Sequence, residues 1–99
     1  MFRHVVLFTF TPQTTTKQQE ELARQLRTLP GTIGEIRDYH VGLDAGLNPG
    51  NYQFAVVADF DNVEDYLVYR DHPVHREIIG KYVQPIVASR AAVQYEVDL

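Results

Sequence analysis

The chain contains no cysteine, which excludes disulfides, thiolate nucleophiles and cysteine-ligated zinc together. Cations are also scarce: nine lysines and arginines stand against thirteen carboxylates, for a net charge of −4 and a pI near 5.4. They form no cluster, so the cationic face that a nucleic-acid binder needs is missing. No apolar run approaches the ~18 residues of a membrane span, and the N-terminus has no basic region leading into a long apolar stretch and a cleavage site. The expectation is a soluble cytoplasmic protein that binds neither nucleic acid nor membrane. There is no phosphate loop, nucleophile elbow or dinucleotide fingerprint, because Gly42, Gly46 and Gly50 sit in a region that opens no helix.

What remains is an ordinary globular composition, 44% hydrophobic and 11% aromatic over 99 residues. That length predicts one domain over residues 1–99. Phe2 to Phe10 reads as a strand apolar on both faces, with Phe2, His4, Val6, Phe8 and Phe10 on one and Val5 and Leu7 on the other. After Thr11-Pro12, Thr15 with Gln18 or Thr16 with Gln19 has capping-box spacing for a helix running to about Leu29. Leu22, Ala23, Leu26 and Leu29 form its apolar face, and Pro30-Gly31 stops it. Ile36 to Leu43 and Tyr52 to Phe60 read as strands around a Gly/Asn/Pro loop. Asp61 and Glu64 offer an acidic capping box for a helix ending at His72. A short helix near Arg76 to Tyr82 and a strand near Ser89 to Val97 complete the chain.

The order β-α-β-β-α-β predicts the α+β, ferredoxin-like split arrangement. Two helices cover one face of a four-stranded antiparallel sheet, yet the first and third strands are apolar on both faces. The other face therefore needs a cover, and a symmetric homodimer packing sheet on sheet into a barrel supplies one.

Tyr66 to His75 concentrates the chain's proton-transfer chemistry, with two of its four histidines on either side of Pro73. Proline forbids a continuous helix here, so His72 ends one helix and His75 lies in or just after the break. This stretch, with Arg3-His4-Val5-Val6-Leu7-Phe8 and Phe60-Asp61-Asn62-Val63-Glu64, resembles the stress-responsive A/B barrel (Dabb) family of dimeric α+β barrels. The resemblance implies a dimeric barrel built from two four-stranded antiparallel sheets, with a small cavity beneath the helices. It implies as ligand a small hydrophobic or polyketide-like molecule. In a plant polyketide cyclase of this family, a Tyr and a His at positions matching Tyr69 and His75 act as donor and base in an aldol-type ring closure that needs no cofactor or metal.

On that resemblance His75 and Tyr69 are the expected catalytic pair, and His4, Val6, Phe8, Val56, Ala58, Val63, Tyr66, Arg70, Ile78 and Ile79 the expected ligand-contacting residues. Each has a plainer reading. His75 bridges the helix break, Tyr69 sits at the edge of a Val63, Tyr66 and Leu67 stripe, and His4 is a satisfied core histidine. Arg70, which would hold an anion on the ligand, is instead a cation favoured at a helix C-terminus and paired with Asp71. His72 reads as structural, and His40 has no assigned role. His72, His75, Asp71 and Glu77 are metal-ligand types, but Pro73 prevents one-face pairing, so no metal site is expected. Two other functional classes fit the same sequence: a non-enzymatic stress-associated dimer, and a cofactor-free monooxygenase-like barrel.

Overall fold

In a computed structural model, which describes residues 1–98, the chain forms four strands and three α-helices. The strands are β1 (Phe2–Phe10), β2 (Ile36–Leu43), β3 (Phe54–Phe60) and β4 (Val87–Glu96); the helices are α1 (Thr16–Leu26), α2 (Val63–Asp71) and α3 (Pro73–Ile78). All strand pairings are antiparallel and the sheet order is β2-β3-β1-β4, the ferredoxin-like order. The helices lie on one face. There His4, Val6, Phe8 and Phe10 alternate inward from β1, and Phe54, Val56, Ala58 and Phe60 from β3, against Leu22, Ala23 and Leu26 of α1.

Of the two possible capping boxes for α1, Thr15 with Gln18 forms: the Thr15 hydroxyl accepts from the Gln18 amide at 3.1 Å and the Gln18 side chain accepts from the Thr15 amide at 2.8 Å. The helix ends at Leu26 rather than Leu29. Leu29 is still fully buried, but on a separate 3₁₀ turn, Leu29–Gly31, because Pro30 cannot continue the α1 ladder. On α2 the cap is Asn62, whose side chain accepts from the Asp65 amide at 2.8 Å. Asp61 lies one residue before the cap, and the Arg37 guanidinium donates to its Oδ2 at 3.0 and 2.9 Å.

The short helix begins at Pro73, three residues before Arg76. Proline suits the first helical position, where no N–H is required, and the His72 side chain caps it by accepting from the Val74 amide at 3.1 Å. A π-helical turn, Ile79–Val83, follows directly. In β2 a bulge between Ile36 and Asp38 puts Ile36 and Tyr39 on the helix side together, although strict alternation would separate them.

Among the described residues nothing covers the opposite sheet face. Cross-strand neighbours Val57, Val5 and Val93, and Ala55, Leu7 and Ala91, form an apolar patch on β3, β1 and β4, and Val93 is 55% exposed. Beside it Arg3 donates to both Asp59 carboxylate oxygens at 2.7 and 2.8 Å, holding the carboxyl below its ordinary range although Asp59 is only 1% exposed. Among the described residues no helix is long and apolar enough to cross a membrane.

Candidate functional site

A cavity of about 240 Å³ opens between the helix-side face of the sheet and the α2–α3 segment. Val6, Phe8 and Val56 form its floor, Leu26, Ile79 and Val83 its apolar sides, and His4, Tyr66, Tyr69, Arg70, His75 and Arg90 bring the polar groups.

Pro73 sets the geometry of His75. The break it imposes turns α3 back on the end of α2, so that His75 Nδ1 lies 3.1 Å from the carbonyl oxygen of Arg70. A carbonyl only accepts, so Nδ1 carries the proton and Nε2 of the neutral ring keeps its lone pair. Burial lowers the His75 pKa below the ordinary imidazole value, although the Arg70 carbonyl works in the opposite direction. The ring is therefore mostly an unprotonated base at neutral pH.

Tyr69 is the buried residue of α2, 3% exposed, while Val63 and Leu67 face outward. Its ring packs against His75, with centroids 4.2 Å apart, and its hydroxyl lies 3.0 Å from that of Tyr39. Burial raises the Tyr69 hydroxyl and the hydrogen bond with Tyr39 offsets part of the rise, leaving it at about 12. Either hydroxyl can be the donor of this bond; in the arrangement where Tyr39 donates, the Tyr69 proton is free for another acceptor.

His4 is buried on the cavity floor. The Gln94 amide nitrogen lies 2.8 Å from its Nδ1 and can only donate, so Nδ1 accepts and Nε2 carries the proton. Burial first, then the Arg90 and His75 charges, lower its pKa to about 4. Two neutral imidazoles of opposite tautomer thus line one cavity.

Of the expected contacts, His4, Val6, Phe8, Val56, Tyr66, Arg70 and Ile79 line this cavity with His75 and Tyr69. Three do not. Ala58 is fully covered in the core, Ile78 is buried on the inner side of α3, and Val63 is on the outer surface of α2. The Val63, Tyr66 and Leu67 stripe is displaced because the apolar residues of α2 are spread around the helix, with Val63, Leu67 and Val68 exposed, and the aromatic rings at 66 and 69 decide which face turns in. Arg70 makes both contacts its plainer reading gives it, Nε and Nη2 donating to Asp71 at 2.9 and 3.0 Å, while it also reaches the cavity mouth. His40 is exposed beside Asp38. Among the described residues no group of three or more histidines and carboxylates is placed to hold a metal ion.

Tyr39, Val83 and Arg90 were not expected at the site, whereas Leu26 comes from the apolar face of α1 already read from the sequence. Arg90 follows once β4 is registered with Phe8 opposite Arg90. The bulge conceals Tyr39, and the π-turn conceals Val83.

A ferredoxin-like α+β domain with a histidine-lined apolar cavity under its helices defines the class. The Stress responsive A/B Barrel Domain model matches residues 2–97, and the chain belongs to that family. It is similar to a dimeric ferredoxin-like protein of unknown function from Thermobifida fusca, at 41% identity and TM-score 0.89 over 97% of this chain and 90% of that one. A dimeric protein of unknown function from Bacteroides fragilis is 32% identical, with TM-score 0.83 over 97% and 95%. The hydroxynitrile lyase of Passiflora edulis shares the fold, at 21% identity and TM-score 0.84 over 98% and 93%. A search of curated proteins found no match.

Proposed function

We propose that the protein is a homodimer that binds a small apolar molecule in this cavity and moves a proton on it without a cofactor. The observation that carries the reading is the His75 ring: fixed through Nδ1, neutral, with its basic Nε2 on an apolar wall beside a phenol. His75 takes a proton from a carbon next to a carbonyl, and the Tyr69 hydroxyl donates to the oxyanion that forms. In an aldol-type closure the resulting carbanion attacks a second carbonyl of the same chain. One C–C bond forms, and the imidazolium returns its proton to the new alkoxide. A non-enzymatic dimer predicts a cavity filled by side chains, and the open volume of about 240 Å³ favours ligand binding instead. The dimer is supported by the uncovered Val5, Leu7, Val57 and Val93 face and by the 41% identical relative, itself described as dimeric.

The test is deuterium incorporation from heavy water at the α-carbon of aryl methyl ketones, followed by NMR. The wild-type protein accelerates exchange, and His75→Gln returns it to background. Equal rates for the two proteins overturn the assignment of His75 as base.

A further inference from the structure

The apolar cavity has a cationic mouth. Arg90, on the helix-side face of β4 opposite Phe8, lines the cavity and makes no ion pair or hydrogen bond among the described residues. Across the opening Arg70 uses only Nε and Nη2 on Asp71, so part of its guanidinium edge is unused. A shallower recess shares Arg70, His75 and Ile79 with the cavity and adds Asp71, Arg76 and Gln84. Three of the chain's nine basic residues thus meet one carboxylate around the entrance, in a molecule whose net charge is −4. Both histidines of the site are depressed toward neutrality, so the positive charge at the mouth comes from the arginines.

Resting on the proposed ligand-binding role of the cavity, we infer that its ligand is an amphiphilic carboxylate. The apolar body lies on Val6, Phe8 and Val56, and the carboxylate sits at the mouth on Arg90, with the free edge of Arg70 as second donor. An unpaired guanidinium beside an apolar surface loses least when a carboxylate reaches it, because the fork matches two oxygens and is weakly hydrated. The volume is below the ~300 Å³ lower end of common ligand pockets, which fits a single ring or a short chain. Anchored there, such a ligand presents the far part of its chain to Tyr69 and His75, so the arginines are positioning residues for the chemistry of the wall.

The experiment compares matched acids and amides, hydrocinnamate with hydrocinnamamide and hexanoate with hexanamide, by titration against the full chain. Each carboxylate is expected to bind about tenfold more tightly than its amide, the gain of a charge-assisted hydrogen-bonded pair. Arg90→Gln removes most of the acid's advantage over the amide and leaves the amide unchanged. Arg24→Gln, on the outer face of α1 and paired with Glu21, leaves both as they are. If acid and amide bind equally in the wild type, or Arg90→Gln weakens both alike, the carboxylate inference is wrong and the cavity still binds ligand. If no member of either pair binds, the binding role falls with it.

Discussion

The Tyr69 and His75 rings lie 4.2 Å apart, centroid to centroid, yet no hydrogen bond joins them. Each polar end is claimed elsewhere, Tyr69 by Tyr39 and His75 by the Arg70 carbonyl. The two therefore address a ligand side by side instead of addressing each other. Tyr69→Phe should slow α-carbon exchange about 10²-fold, the effect of removing one oxyanion donor. It also costs about 1 kcal/mol of stability through the lost bond to Tyr39. His75→Gln should abolish exchange. Kinetics and urea melts of both variants separate these effects.

His4 sets an acid limit on folding. Its folded pKa, about 4, is below its unfolded value of 6.5, so the native state refuses a proton that the unfolded chain accepts. Stability is complete above pH 6.5, falls from there toward pH 4, and is fully reduced below it. The total is on the order of 3 kcal/mol for this residue. Urea midpoints taken from pH 7 to 4.5 should fall steeply in the wild type and less steeply in His4→Gln. Parallel slopes would rule His4 out.

Arg3 and Asp59 behave in a separate window. Asp59 is held below the ordinary carboxylate range, so its contribution is present above that range and is lost as pH drops through it. Arg3→Met strands a covered carboxylate and should lower the urea midpoint. Asp59→Asn in the same background should recover much of the loss, because the uncompensated charge is gone.

The open sheet face gives a fourth test. Val93→Asp places a charge on the apolar patch, at its exposed β4 side, and should shift the protein from dimer to monomer in sedimentation velocity. Asp substituted for Val63, which is exposed on the outside of α2, should leave the dimer intact.

Period-two alternation in β1 and β3 and the alternation of helix and strand made the fold legible from sequence, including the uncovered face, because burial on two sides leaves a mark at every position. The same alternation put His4, Val6 and Phe8 on one face of β1 and Val56 on one face of β3, and the family resemblance implied that this face floors a cavity. The α2 contacts were harder. That helix has little amphipathic pattern, so nothing local distinguished Val63 outside from Tyr69 inside, and rotation was settled by packing of the Tyr66 and Tyr69 rings on Phe60. Tyr39 was concealed by a bulge, and Arg90 by register. Both are long-range relations that no window of sequence contains.

The most direct test of the account is a long-range ¹H–¹⁵N NMR titration of the His75 ring. The account predicts an Nδ1–H tautomer, an unprotonated Nε2 at neutral pH, and a pKa below 6.5. An Nε2–H tautomer would contradict it, because the nitrogen facing the cavity could not then serve as the base, and a pKa at or above 6.5 would contradict the burial of the ring.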